Sequence, residues 1–187
     1  MTTQTSKKIY TIEEFMGLPL SAKRLELVEG ELLEMPPTGD EHGVICLNIA
    51  SELRAFARRH NLGKVWVTTG FVIDSTTPKP TVREPDVAFV ISQRVPPTGK
   101  GAVPVPPDLV VEVTSPSDES AEITRKIQQY QKAGVPLIWQ VYPDKQEVHI
   151  YRLSTNLQFE TRNNQQELEG EALLPDFKLK VSAIFEE

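Results

Sequence analysis

Apolar residues recur along the chain in two rhythms, one close to every fourth residue and one every second, with turn-forming residues between the runs. Ile45, Ile49, Leu53 and Phe56 share one helical face, which predicts a long helix over about 41–60, ended near Asn61 and Gly63. A short helix over 12–18 is predicted by Thr11 with Glu14 three residues on, each side chain able to satisfy the other's backbone N–H. In "RLELVEGELLEM" polar and apolar positions alternate on both sides of Glu29-Gly30, a hairpin over 24–35. Strands are expected at about 64–69, 71–74 and 86–91.

Residues 95–107 hold Pro96, Pro97, Pro104, Pro106 and Pro107 with two glycines, too many residues unable to donate a backbone hydrogen bond for helix or sheet. A buried strand follows at 109–113. A helix over about 119–133 comes next, with Ser117 or Asp118 as its cap and Gly134 as its terminator. "PLIWQVYP" and "EVHIYRL" read as strands around a turn at Asp144-Lys145, with another strand near 157–161. The tail "LPDFKLKVSAIFEE" carries enough apolar residues to dock on the body. This order predicts a mixed α/β fold in one domain over 1–187, with a helix–hairpin extension at about 10–36.

Composition narrows the class. With 187 residues, 39% hydrophobic and 25% charged, the chain matches a soluble globular protein with no membrane span. The first ten residues lack the apolar core of a secretory signal, and one cysteine, Cys46, excludes an intrachain disulfide. A cytoplasmic location is expected, with Cys46 an inert core thiol. The formal net charge of −6 speaks against broad, non-specific nucleic-acid binding, while leaving room for a local basic groove or for bound divalent metal.

One residue breaks the pattern. Glu112 stands among Leu109, Val110, Val111 and Val113, where an unpaired carboxylate is costly. Asp86, after Pro85, heads the strand at 86–91. The proline-rich link between the two strands carries no helical pattern, so they are expected to run antiparallel, which brings the start of one beside the end of the other. Two converging carboxylates repel unless a proton or a cation lies between them, and oxygen ligands of this kind suit Mg2+ or Mn2+. Lys126 lies at the border of the apolar stripe Ile123–Ile127–Tyr130 and can reach the pair. The plainer reading is a strand cap and a structural ion pair. Arg54 and Arg58 share a helix face and are candidates for phosphate contacts, or simply a solvated face. Zinc-type Cys/His spacing and a Gly-x-Ser-x-Gly nucleophile elbow are both absent from the sequence.

The segments "REPDVAFV", "PPDLVVEVTSPSD" and "RKIQQYQKAGVPLIWQV", with "RLELVEGEL" and "TGDEHG" before them, resemble the Uma-two (Uma2) family, grouped with the PD-(D/E)xK restriction-endonuclease-like superfamily. The resemblance implies a core of antiparallel strands, a crossover helix and a further strand. It also implies Mg2+-dependent hydrolysis of phosphodiester bonds in nucleic acid, DNA above all, with a homodimer by analogy. Asp86 and Glu112 would match the two acids, with the backbone carbonyl of Val113 or Thr114 as a further metal ligand. Glu26, by alternation alone an ordinary exposed acid, becomes a candidate metal ligand, and His42 a substrate or proton-transfer residue. Two positions depart from the pattern: Thr114 stands where the motif has lysine, a role the resemblance passes to Lys126, and Tyr142 replaces an acid in "WQVYP". A rival function is a binding protein that keeps the fold without the chemistry.

Overall fold

The alternation over 24–35 folds as two antiparallel strands, β1 (Arg24–Val28) and β2 (Glu31–Met35). The structure is a computed structural model that describes residues 8–19, 24–76, 78–115, 119–155 and 158–186. Glu29 and Gly30 have φ of 51° and 80°, and positive φ at both central residues marks the type I′ turn whose twist matches the strands it joins. A Cβ on Gly30 would also lie 2.6 Å from the Ile9 side chain, so this position needs glycine twice over. Ahead of the hairpin, α1 (Ile12–Met16) has the expected reciprocal cap, with Glu14 N–H donating to Thr11 Oγ1 at 3.1 Å and Thr11 N–H to Glu14 Oε2 at 3.0 Å.

The long helix is α2 (Asp40–His60), and it buries Ile45, Ile49, Ala50, Leu53 and Ala57. It ends at Asn61 in the left-handed conformation. Then follow β3 (Gly63–Val67), β4 (Phe71–Asp74), β5 (Thr81–Arg83), β6 (Val87–Ile91), β7 (Leu109–Val113), α3 (Ser120–Lys132), β8 (Leu137–Tyr142), β9 (Glu147–Arg152) and β10 (Phe159–Asn163). Six of these form the main sheet in the order β10-β9-β8-β7-β6-β3. β6 and β7 run antiparallel, with Val87 opposite Val111, as a link with no α-helical crossover, only a 3-10 turn at Ser92–Arg94, favours. β7 and β8 are parallel, and α3 is the crossover that joins them.

Side chains alternate across this sheet. Leu109, Val111 and Val113 of β7, with Leu137, Trp139 and Val141 of β8, pack in the core that holds the buried face of α2. Val110 and Ile138 face the opposite way, into a core shared with Ile127 and Tyr130 of α3. Both faces are covered, so β7 reads as a nearly continuous apolar run. Glu112 follows the Val110 side of the alternation and meets α3.

The tail docks as expected, through β11 (Glu167–Gly170), β12 (Leu174–Lys180) and α4 (Val181–Ile184), burying Leu174, Phe177, Leu179, Val181 and Ile184 on the α2 side. Three details differ from expectation. β5 went unpredicted because three residues show no periodicity, yet it pairs with β1 and β4 to build a second sheet, β2-β1-β5-β4. The expected caps Ser117 and Asp118 lie outside the described residues, and α3 starts behind Glu119. His149, expected to be exposed, is half-buried, its ring stacked on Phe159 at 4.0 Å and against Tyr142 at 4.5 Å. Among the described residues no helix is long and apolar enough to cross a membrane.

Candidate functional site

A pocket of about 380 Å³ opens where the ends of β6, β7 and β8 meet the first turns of α2 and α3, and Arg24, His42, Asp86, Glu112, Lys126 and Gln140 are among its lining residues. Asp86 precedes β6 and is buried. Its Oδ2 accepts the N–H of Val113 from the end of β7 at 2.8 Å, and its Oδ1 lies 3.1 Å from His42 Nε2. This places Asp86 beside the end of the Glu112 strand, the convergence that antiparallel pairing predicts.

Glu112 is held through both oxygens by one face of α3. Tyr130 OH donates to Oε1 at 2.6 Å, and Lys126 Nζ lies 3.1 Å from Oε2. Lys126 and Tyr130 are four residues apart, so they project from neighbouring turns toward the same carboxylate. From the next strand, Gln140 Nε2 donates to the backbone carbonyl of Glu112 at 3.1 Å.

A second layer fixes the lysine. Glu26 of β1, which alternation alone made an exposed acid, is instead 1% exposed because its carboxylate turns in to buried donors, and its Oε1 lies 3.6 Å from Lys126 Nζ. The same carboxylate takes Arg83 Nη1 at 2.6 Å and the N–H of Glu84 at 2.9 Å, so its oxygens face donors rather than open space. Arg83 is fully buried and also reaches Gln129 at 2.8 Å and Glu122 at 2.8 Å. A buried guanidinium is tolerable only when its donors are matched in this way. Arg24 closes the rim by pairing with Glu84 at 2.7 Å.

The charges do not balance at Asp86. Glu84 has Arg24, Glu26 and Glu122 have Arg83, and Glu112 has Lys126, whereas among the described residues no lysine or arginine makes an ion pair with Asp86. Burial raises the Asp86 carboxyl to about 6, against the opposing pull of the Val113 N–H and of Lys126. Burial likewise raises Glu112 to about 7; Lys126 works against that rise, while Asp86 and Glu26 add to it. Burial disfavours the charged Lys126 amine, but Glu112 and Glu26 outweigh it and hold the amine protonated, with its pKa above the ordinary value. Glu26 moves down instead: burial opposes its charge, and Lys126 and Arg83 prevail. Two buried carboxyls that resist ionising together line one pocket, and they are oxygen groups of the kind that could hold a hard divalent cation.

Asp86, Glu112, Lys126, His42, Glu26 and Val113 therefore converge at or just behind one pocket. Arg54 and Arg58 do not: they are exposed further along α2, and Arg54 is twelve residues, about 18 Å along the axis, from His42. Thr114, where the resemblance expects a lysine, turns its hydroxyl to the carbonyl of Val141 at 3.0 Å and extends the sheet contact. Tyr142 is not among the residues lining the pocket; it packs against His149 beyond it. Sequence reasoning missed Arg83, Glu84 and Gln140, and it took Tyr130 only as core. The signal for Tyr130 was its spacing from Lys126; for Arg83 there was none, because its strand was not predicted.

Comparison with known proteins gives a consistent picture. A crystal structure described as a "putative nuclease" from Anabaena variabilis superposes with a TM-score of 0.80 at 20% sequence identity, covering 94% of this chain and 97% of that one. At that identity it establishes a shared fold. No curated protein matches the chain. A family model does, over residues 12–182, from the capped α1 through the pocket to the docked tail, and on that match the chain belongs to the Uma2 family, whose description is "Putative restriction endonuclease".

Proposed function

We propose that this protein is a divalent-metal-dependent nuclease that hydrolyses phosphodiester bonds of nucleic acid, with DNA as its first candidate substrate. The observation that carries the reading is the pair of buried carboxylates Asp86, just before β6, and Glu112, on the adjacent β7, with the Lys126 amine 3.1 Å from Glu112. Asp86 and Glu112, with the backbone carbonyl of Val113, would hold Mg2+ or Mn2+; when bound, such an ion lowers the pKa of water and neutralises charge on a phosphate under attack. Lys126 stays protonated and offers N–H donors to a non-bridging phosphate oxygen or to the attacking water. Glu26 lies behind it, pinned by Arg83 and the Glu84 amide, and acts on the amine's position rather than as a metal ligand. His42 fixes Asp86 Oδ1 and stands at the pocket lining, where an imidazole can carry a proton to the departing oxygen. Water adds to phosphorus, the bond to one bridging oxygen breaks, and the products are a phosphomonoester and a hydroxyl. Cutting both strands of a duplex takes two such sites, so the reading includes a homodimer.

The test is a calorimetric Mg2+ titration of the wild type, Asp86→Ala and Glu112→Ala. Binding by the wild type alone supports the assignment. Equal binding by all three proteins sinks it.

A further inference from the structure

We propose that the wall of this pocket, where His42 and Asp86 line it and Cys46 lies one turn further along α2, is also a binding site for a thiophilic divalent ion of the Zn2+ class, with His42, Cys46 and Asp86 as its protein ligands. His42 and Cys46 are four residues apart on α2, so their side chains leave the helix from the same face, one turn from each other. Asp86 comes to meet them from the start of β6. One nitrogen of His42, the Cys46 sulfur and one Asp86 oxygen all lie within 4.8 Å of one another. The composition of this trio separates it from the carboxylate pair: nitrogen, sulfur and oxygen together are a zinc donor set, whereas Mg2+ avoids sulfur.

The geometry needs little adjustment. Bonds of about 2.0–2.3 Å in a tetrahedron place ligand atoms roughly 3.3–3.8 Å apart. His42 Nε2 and Asp86 Oδ1 lie 3.1 Å apart, and no separation within the trio exceeds 4.8 Å, so closing to a tetrahedron asks for an ångström or so at most, within the reach of a side-chain rotation. Binding is written M2+ + Cys46–SH → M–S–Cys46 + H+, with the proton released to solvent and no change of oxidation state. Three protein ligands leave a fourth position for water or an anionic group. Asp86 belongs to both donor sets, so the thiophilic ion and the hard ion exclude each other; that consequence alone rests on the hydrolytic reading above.

The test uses the full chain, reduced with a phosphine and stripped of metal, titrated with Cd2+ as a spectroscopic stand-in for zinc. The expected result is an ultraviolet thiolate-to-metal charge-transfer band that saturates at one ion per chain. The band is retained in Glu112→Gln and absent in Cys46→Ser, whose circular dichroism verifies its fold. His42→Ala and Asp86→Asn each weaken the apparent affinity by about tenfold or more. No band in the wild type overturns the proposal. So does a band whose affinity is unchanged in both His42→Ala and Asp86→Asn, the mark of a lone thiol. An intact cadmium response with a failed Mg2+ titration refutes the hydrolytic reading and leaves this site standing; the reverse pattern refutes this site alone.

Discussion

Tyr130→Phe isolates one hydrogen bond at the centre of the site. Tyr130 is fully buried, and its hydroxyl donates to Glu112 Oε1 at 2.6 Å. Phenylalanine fills the same core position against Ile127 and Ile138, so the packing is kept and only the donor is lost. A bond to an ionised carboxylate contributes about 1.5–3 kcal/mol net, and one to a neutral carboxyl about 0.5–1.5. The variant should therefore cost about 0.5–1.5 kcal/mol at about pH 5, where Glu112 carries its proton, and about 1.5–3 at about pH 8.5, where it does not. The difference of about 1 kcal/mol raises the Glu112 pKa by roughly one unit, since a donor that favoured the charged form has gone. Urea denaturation in EDTA at the two pH values measures the first effect, and an alkaline shift of the rising limb of the metal-dependent activity profile measures the second. An equal cost at both pH values would refute the idea that Tyr130 serves the charged form of Glu112.

Other perturbations test the neighbours. Lys126→Gln should lower kcat by about 10²–10³-fold while Mg2+ affinity holds or rises, because the amine no longer competes for Glu112; a lost Mg2+ response would instead give the lysine a structural role. Arg83→Met should destabilise by about 3–5 kcal/mol by removing the nearer of the two cations that pair with buried Glu26, and Glu26→Gln in the same chain should restore much of that in urea melts. In EDTA, the protons held by Asp86 at about 6 and Glu112 at about 7, above their ordinary 3.8 and 4.5, are bound by the folded protein and released by the unfolded one. Their stabilisation is therefore complete below about pH 4 and lost as pH rises through about 7. The gain in Tm from Mg2+ should grow over the same interval, and a gain that is flat with pH contradicts the assigned ligands.

What the sequence disclosed, and what it did not, follows from how local each signal is. The Thr11 cap, the Glu29-Gly30 turn and the apolar face of α2 are set by residues within a few positions of one another, and they fold where the pattern puts them. Glu112 was legible because a carboxylate among valines contradicts its surroundings, and the antiparallel link then led to Asp86. Arg83 was hidden because its strand is three residues long and takes its conformation from pairing with β4 just before it and with β1, where Leu27 lies opposite Val82 from far earlier in the chain. Gln140 reads as an ordinary polar residue until register places it opposite Glu112. Cys46 reads as core from its neighbours, and only the tertiary fold sets it beside Asp86.

The most direct test of the central claim is cleavage itself. Wild type and Glu112→Gln are incubated with single- and double-stranded DNA and RNA, in Mg2+, Mn2+ and EDTA, and the products are resolved by length. The account predicts cleavage of at least one substrate by the wild type in the presence of metal, with none in EDTA and none by Glu112→Gln. Cleavage that survives either EDTA or the loss of the Glu112 charge contradicts it, as does a wild type that binds nucleic acid and metal yet cuts nothing.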